Sequence, residues 1–191
     1  MKSIKGTVTE QNLLKSFAGE SQARGRYTMF AKQAKKDGYV QIERLFLETA
    51  DNERVHADRF FSFLEGGDVE ITASYPAGKV GTTLENLKAA AAGENEEYTE
   101  LYPEFARIAK EEGFSEIAGA YLMIAKAEVE HEKRFLKLAE NIENEVVFKK
   151  SETVRWKCSK CGYVHEGAEA PAVCPACLHP KGYYEIKETN Y

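Results

Sequence analysis

Apolar side chains recur through residue 142 at spacings of three, four and seven residues, the period of amphipathic α-helices. This pattern predicts helices over residues 10–36 and 40–64, from residue 82 onward, and over residues 115–142. A capping box at Thr82 and Glu85 starts the third helix. Pro103 is expected to kink or split that helix, because proline removes a backbone donor and crowds the preceding turn. A long loop over residues 66–81 separates the second and third helices.

The second pair of helices repeats the first pair in sequence. Glu53–His56 has the form Glu-x-x-His and matches Glu128–His131, and the Ala-Gly-Glu of residues 18–20 matches that of residues 92–94. Short turns within each pair predict antiparallel hairpins, and the long middle loop lets the second hairpin pack beside the first. We therefore predict a mainly α fold, a four-helix bundle with approximate twofold symmetry and a long central crossover.

Each predicted helix carries one glutamate among the apolar positions of its buried face. These glutamates are Glu20, Glu53, Glu94 and Glu128. A buried unpaired carboxylate costs several kcal/mol, and four would also repel one another, so such a core requires cations. A single glutamate could instead lie at a helix edge and reach water. A set repeated in both hairpins favours two metal ions, bound by one Glu from each of two helices and a Glu-x-x-His from each of the other two.

Two histidines complete this ligand set. His56 and His131 each lie three residues after a glutamate and therefore on the same helix face. Carboxylates with two imidazoles suit Fe or Mn and also accept Zn, since affinity alone does not select among these metals.

All four cysteines lie in the tail, where the composition changes after Asn144. They form two Cys-x-x-Cys units, at Cys158, Cys161, Cys174 and Cys177. Four thiolates at this spacing predict a tetrahedral metal site, and Gly162 suits a tight turn that needs positive φ. From spacing alone, a structural zinc ribbon is as good an interpretation as a redox centre. We divide the chain into a bundle over residues 1–146 and a small β-rich ribbon over residues 147–191, whose folding depends on its metal.

Composition and charge limit the classes of partner. Of the 191 residues, 43% are apolar and 30% are charged, with a net charge of −5, which is typical of a globular protein with much helical surface. Interspersed acidic and basic residues argue against nucleic acid and anionic membranes as partners. Because no apolar run approaches the ~18 residues of a membrane span and no signal-peptide pattern is present, we expect a cytoplasmic protein. In a reducing compartment, clustered cysteines favour metal over disulfides.

The order of these motifs resembles the rubrerythrin family over essentially the whole chain, and the tail alone resembles a rubredoxin with a short spacing between its cysteine pairs. The resemblance implies a ferritin-like bundle and a rubredoxin-like ribbon that act as a non-haem di-iron peroxidase, reducing hydrogen peroxide to water and protecting against oxidative stress. It implies a pair of iron ions bridged by Glu53 and Glu128, and a third iron in the four-cysteine site; zinc can occupy either site on overexpression. The implied di-iron ligands are Glu20, Glu53, His56, Glu94, Glu97, Glu128 and His131, and those of the single iron are Cys158, Cys161, Cys174 and Cys177.

Glu97 and two tyrosines are the further candidates for catalysis, together with His56. Glu97 stands outside the internal symmetry, because its counterpart in the repeat is an alanine. The resemblance implies that the iron bound by Glu97 when oxidised is bound by His56 when reduced. Exchange of a neutral ligand for an anionic one keeps a buried site near neutrality when oxidation adds positive charge. Helical spacing places Tyr27 near Glu20 and Tyr102 near Glu97, where they could supply protons, although aromatic packing is an equally good interpretation.

The electron path implies partners. The resemblance implies an electron donor such as rubredoxin or an NAD(P)H-dependent reductase, with the four-cysteine iron as the relay. That iron lies beyond the last helix and can approach the di-iron site of another copy, which predicts a head-to-tail homodimer. Two other functions stay open at this point: a ferritin-like ferroxidase that handles iron with O2, and a zinc-ribbon scaffold whose bundle binds structural metal. A four-thiolate centre argues against iron storage, where it has no evident use.

Overall fold

The structure, a computed structural model, describes residues 2–189 and confirms the predicted bundle. Its helical elements are α1 Val8–Lys36, α2 Val40–Phe61, α3 Thr83–Glu96, a π-helical turn Glu97–Leu101, α4 Tyr102–Glu111 and α5 Ser115–Glu143. α1 packs along α2, while α3 and α4 pack along α5, and the long loop between α2 and α3 carries the chain from one hairpin to the other. Over the described part of the chain, no helix has both the length and the apolar character needed to cross a lipid bilayer.

The helix ends differ slightly from the predicted ones. α1 begins at Val8 rather than at residue 10, because the Thr7 hydroxyl accepts a hydrogen bond from the amide of Glu10 and caps the helix. The capping box of residues 82–85 starts α3 as predicted. α2 ends at Phe61 instead of residue 64, since the amides of Phe63 and Leu64 bond to carbonyls three rather than four residues back.

Pro103 splits the third predicted helix, as the sequence indicates. Between α3 and α4 the chain forms the π-helical turn, in which the amide of Tyr102 donates to the carbonyl of Glu97, five residues back. Pro103 has no amide hydrogen with which to continue the α-helical pattern. A π-helical turn contains an extra residue and is common at functional sites. Here it shifts the face of α4 relative to α3 and has Glu97 and Tyr102 at its two ends.

Two apolar clusters fill the bundle, and a polar layer lies between them. Members of the first cluster are Tyr27, Phe30, Phe46, Leu87 and Phe135. Members of the second are Leu13, Phe60, Tyr102, Ile117 and Tyr121. On each helix, the glutamate of the predicted stripe lies between the positions that contribute to the two clusters. Apolar side chains therefore exclude water from both sides of the acidic layer.

Two equivalent carboxylates join the hairpins to each other. Asp37, just after α1, accepts hydrogen bonds from the amide (3.0 Å) and hydroxyl (2.7 Å) of Thr83 at the start of α3. Glu112, just after α4, accepts them from the amide (2.8 Å) and hydroxyl (2.6 Å) of Thr9 at the start of α1. The first amides of a helix have no partner inside it, and a carboxylate satisfies them well. Asp37 and Glu112 match in the internal repeat, so the repeat also determines how the hairpins join.

The tail forms a three-stranded antiparallel sheet, which confirms the predicted β-rich ribbon. Its strands are β1 Lys149–Cys158, β2 Val164–Glu169 and β3 Tyr184–Ile186, in the order β2-β1-β3. Trp156 is fully buried in the ribbon core. The ring of Phe148 stacks on Tyr39, and Glu185 pairs with Arg44 of α2. These contacts hold the ribbon against the end of the bundle formed by the α1–α2 turn.

Candidate metal centres

The four glutamates of the predicted stripe meet in one layer at the centre of the bundle. Each of these glutamates is at most 1% exposed to solvent; they are Glu20, Glu53, Glu94 and Glu128. His131 is also buried, and His56 is half-buried. The structure thus brings together six of the seven residues predicted as ligands of a dinuclear site.

These six side chains form two overlapping groups. Within each group the potential ligand atoms lie within 4.8 Å of one another. The first group is Glu20, Glu53, His56 and Glu128, and the second is Glu53, Glu94, Glu128 and His131. Glu53 and Glu128 belong to both groups, so their carboxylates lie between two neighbouring positions. Each position offers oxygen and imidazole donors of the kind that first-row transition metals accept.

Several buried atoms of this layer make no hydrogen bond of good geometry with a described residue, although some of them contact one another within the layer. They are Oε2 of Glu20, Oε1 of Glu53, Oε2 of Glu94, both carboxylate oxygens of Glu128 and Nδ1 of His131. Buried polar atoms are rarely left unpaired, because each such atom costs about 1–3 kcal/mol. Converging acceptors of this kind are satisfied by cations. The donor set therefore fits a pair of metal ions.

The protonation of the layer leads to the same conclusion. Burial, reinforced by neighbouring carboxylates, raises the pKa of Glu20 well above its ordinary value and that of Glu94 to about 8. Burial opposes protonation of His131, but its contacts with Glu128 and Glu53 outweigh burial and raise the pKa of His131 to about 12. Nδ1 of His131 lies 2.8 Å from Oε2 of Glu128 and 3.2 Å from Oε1 of Glu53. The layer thus strongly favours positive charge at its centre.

Two buried tyrosines donate hydrogen bonds into the layer, in pairs that differ from those predicted. Tyr102 donates to Oε1 of Glu20 at 2.5 Å, and Tyr27 donates to Glu94. Helical spacing had placed Tyr27 near Glu20, on its own helix. Each hydroxyl reaches the opposite hairpin instead, because side chains of facing helices meet across the core. Burial, followed by the adjacent carboxylates, raises the pKa of both tyrosines, so both keep their protons.

Glu97 lies beside the acidic layer, outside both ligand groups. It begins the π-helical turn, is half-buried, and lines a cavity together with Tyr102. Burial raises the pKa of Glu97 well above its ordinary value, and repulsion by Glu94 adds to this effect, whereas Arg26 opposes it. The surroundings of Glu97 therefore favour its neutral acid form, and an increase in positive charge there would favour its ionisation.

The four cysteines form a second centre in the ribbon. All four sulfur atoms lie within 4.8 Å of one another, and the pairs Cys158–Cys177 and Cys161–Cys174 are each 3.7 Å apart. A tetrahedral site with metal–sulfur bonds of ~2.3 Å has sulfur–sulfur edges of about 3.8 Å. The thiols are free and are far beyond disulfide bonding distance. The predicted cysteine quartet therefore fits one metal ion.

Two turns with positive φ shape this centre. Gly162 has a φ of 81°, as its position after the second cysteine suggests, and its amide donates to the carbonyl of Cys158. Leu178 occupies the equivalent turn with a φ of 60°, and its amide donates to the carbonyl of Cys174. This second turn is not predicted from the residue type, because leucine rarely adopts positive φ.

A four-helix bundle with a dinuclear carboxylate–histidine layer, joined to a four-cysteine ribbon, defines a ferritin-like metalloprotein with a rubredoxin-like domain. The family model described as Rubrerythrin matches residues 11–139, and the one described as Rubrerythrin, rubredoxin-like domain matches residues 156–185. The chain therefore belongs to the rubrerythrin family, an oxidoreductase class of di-iron proteins.

Similar proteins cover the whole chain. A rubrerythrin of Porphyromonas gingivalis is 60% identical, over 100% of this chain and 95% of its own. A nigerythrin structure in the fully reduced, all-ferrous state has a TM-score of 0.64 and 34% identity, over 96% of this chain and 89% of that one. A bacterioferritin structure from Desulfovibrio desulfuricans has a TM-score of 0.62 over 72% of this chain and 81% of that one, and at 23% identity it shows the fold alone.

Proposed function

We propose that this protein is a non-haem di-iron peroxidase that reduces hydrogen peroxide to water. The observation that carries the proposal is the overlap of the two ligand groups, which share Glu53 and Glu128 beside a cavity that reaches Glu97. Two metal positions with common bridging carboxylates suit a reaction in which one O–O bond receives two electrons. Membership of the rubrerythrin family supports iron as the metal.

The proposed ligands divide between the two positions. Glu20 and His56 would hold one iron and Glu94 and His131 the other, with Glu53 and Glu128 bridging. A bound ferrous pair would supply two electrons and Lewis acidity toward both oxygens of the peroxide. In the oxidised state Glu97 would replace His56 as a ligand, because the ionised carboxylate offsets the positive charge that oxidation adds.

The chain's own residues would control protons at the site. The hydroxyl of Tyr102 donates a hydrogen bond to Oε1 of Glu20, and Tyr102 also lines the cavity. Glu97 lines the same cavity, and its acid form, which burial favours, would hold a second proton there. Both groups stand where a peroxide would arrive, so they would supply protons as the O–O bond breaks. Tyr27 donates to Glu94 from within an aromatic cluster and would orient that carboxylate.

The four-cysteine centre would relay electrons as an Fe(Cys)4 site. The ribbon contacts the α1–α2 turn, and Glu53 lies roughly 20 Å along α2 from Tyr39 by the rise of a helix. This separation supports a head-to-tail homodimer, in which the ribbon of one copy serves the di-iron site of the other. The electrons would come from a rubredoxin or an NAD(P)H-dependent reductase.

The test combines metal analysis with rapid mixing. We expect iron in both centres and a visible spectrum of Fe(Cys)4, and colourless protein containing only zinc would overturn the proposal. Anaerobic reduced protein is then mixed with hydrogen peroxide and, separately, with O2. Faster oxidation by peroxide supports the peroxidase, whereas a preference for O2 would favour the ferroxidase.

A further inference from the structure

A cavity of about 350 Å³ lies outside the acidic layer, between α1, α3, α4 and the loop that joins the hairpins. Glu97 and Tyr102 are among its walls, next to the layer. The remaining wall combines apolar side chains, among them Tyr75, Leu101 and Phe105, with polar ones such as Lys15, Arg26 and Glu96. Water occupies ~30 Å³ per molecule, so this space is about ten times larger than one water and falls in the range of pockets for organic ligands, about 300–1,000 Å³.

The crossover loop is tied down as the outer wall of the cavity. The hydroxyl of Tyr75 donates to the carbonyl of Lys15 at 2.8 Å. The side-chain amide of Gln22 donates to the carbonyl of Pro76 at 2.5 Å. Both bonds link the loop to α1, so the cavity is a formed pocket rather than a gap beneath a loose segment.

Two helix-interior glycines keep this pocket open. A Cβ added at Gly19 would lie 3.4 Å from Cε1 of Tyr75, and one added at Gly93 would lie 3.5 Å from a guanidinium nitrogen of Arg26. Glycine destabilises a helix interior relative to alanine. Both glycines belong to the repeated Ala-Gly-Glu motif, and each immediately precedes a glutamate of the acidic layer. The repeat therefore places a position without a side chain in the pocket wall one residue before each of these glutamates.

We propose that this pocket binds the organic group of a small alkyl or aryl hydroperoxide, so that the protein reduces ROOH as well as hydrogen peroxide. The inference rests on the proposed peroxidase function and names a second substrate class for the same site. Hydrogen peroxide needs only a small part of the space, and the apolar rings match a hydrocarbon group. The inner polar end, with Glu97 and Tyr102, matches the peroxy group.

The reaction balances without a further reagent. One ROOH would take two electrons from a bound ferrous pair and two protons, delivered at the polar end of the pocket and drawn in the end from solvent; the O–O bond would break, and the products would be ROH and one water. The oxygen attached to carbon leaves as the alcohol and the terminal oxygen as water. The alcohol keeps the organic group and should remain a ligand of the pocket, which allows binding to be measured apart from turnover.

The first experiment measures binding of 2-phenyl-2-propanol, the alcohol formed from cumene hydroperoxide, to the oxidised metal-loaded protein by calorimetry. The variant Gly19→Ala/Gly93→Ala adds two methyl groups to the pocket wall at ordinary contact distances. We expect it to weaken binding about tenfold, because one methylene in an apolar pocket changes affinity by about 10–200-fold. The control is Gly25→Ala, also inside α1, where an added Cβ meets nothing within 4 Å. It should bind the alcohol as the natural chain does.

The second experiment compares cumene hydroperoxide with hydrogen peroxide as oxidants of the reduced protein. We expect the double variant to lower the rate with cumene hydroperoxide about tenfold more than the rate with hydrogen peroxide, and Gly25→Ala to leave the ratio unchanged. Failure of the alcohol to bind, or an equal ratio in all three proteins, would overturn the pocket assignment while leaving hydrogen peroxide reduction intact. Alcohol binding without reduction of hydrogen peroxide would overturn the peroxidase proposal instead.

Discussion

Tyr102 and Tyr27 make related hydrogen bonds in different surroundings. Each donates to a buried carboxylate of the opposite hairpin. Tyr102 also lines the cavity beside Glu97, whereas Tyr27 packs against Phe46 and Phe135, with ring centroids 6.0 and 5.3 Å away. Of these two tyrosines, Tyr102 is therefore the one that can exchange its proton with a molecule that enters the cavity.

This difference predicts unequal effects of the two phenylalanine substitutions. Tyr102→Phe should slow single-turnover oxidation of the reduced protein by hydrogen peroxide on the order of 100-fold, because it removes a proton donor. Tyr27→Phe, the matched control, should slow it less than about tenfold. Stopped-flow absorbance measures both rates. Equal rates for the two variants would contradict a proton-donor role for Tyr102.

His131 contacts three carboxylates of the acidic layer, those of Glu53, Glu94 and Glu128. His131→Ala removes one of the two nitrogen ligands, so we expect metal affinity of the dinuclear site to fall at least about 100-fold. The Fe(Cys)4 absorbance should remain, because the ribbon has its own core. Metal analysis and visible spectra of one sample check both statements. Joint loss of the two centres would show that the ribbon depends on the bundle.

Among the elements, the junctions between hairpins follow the internal repeat. Asp37 and Glu112 each satisfy amides at the start of a helix in the other hairpin. Slight burial acts to raise the pKa of Asp37 and of Glu112, but hydrogen bonds from Thr83 and Thr9 respectively outweigh it and lower both. Each junction therefore contributes stability only while its carboxylate is ionised.

The double variant Asp37→Asn/Glu112→Gln tests this contribution. We expect each substitution to lower the free energy of unfolding by about 0.5–1 kcal/mol, and Tm by about 2–4 °C per kcal/mol. A depressed pKa gives stability that is lost as pH falls through the folded pKa, below the ordinary values of 3.8 and 4.5. The variant should consequently lose less stability on acidification than the natural chain.

Thermal unfolding as a function of pH makes this measurement. Asp58→Asn serves as the control, because Asp58 forms an exposed ion pair with Arg54 in the same helix, and such pairs contribute little. If the Asp37/Glu112 variant is no less stable at neutral pH than this control, the two junctions do not stabilise the fold as predicted.

On the scale of the whole molecule, the two metal centres lie in separate parts of the fold. Apolar clusters enclose the acidic layer, whereas Cys161 of the ribbon centre is exposed. The ribbon is held at the α1–α2 turn by the Tyr39–Phe148 stack and by the ion pair of Glu185 with Arg44. An exposed centre on a docked ribbon suits exchange of electrons with other molecules.

Cys161→Ser separates oxidation of the buried site from its re-reduction. Replacing a thiolate should disrupt the relay, so we expect multiple turnover with an electron donor to stop. A single oxidation of chemically reduced protein by hydrogen peroxide should proceed at the natural rate, since the acidic layer is unchanged. Steady-state and stopped-flow assays of the same preparation provide the comparison. Unchanged steady-state activity would contradict the relay.

Local patterns in the sequence determined a large part of this protein. The periodic spacing of apolar residues predicts the helices, and Pro103 predicts the split between α3 and α4. The repeated Glu-x-x-His motif predicts the cluster of acidic residues and histidines. The cysteine spacing gives the second centre. Each of these features depends on residues that are close in the chain or on an internal repeat, and a single sequence shows local spacings and repeats directly. The division at residues 146 and 147 and the individual ligand roles stay predictions.

The tertiary structure alone decided which groups meet across the core. Tyr27 donates to Glu94 and Tyr102 donates to Glu20, each in the opposite hairpin, because side chains of facing helices meet across the core. The π-helical turn, the pocket beside Gly19 and Gly93, and the close packing of Gly182 on the Gly38 carbonyl also arise from how elements pack. Such contacts join residues far apart in the chain, and their partners follow from the packed bundle rather than from local spacing.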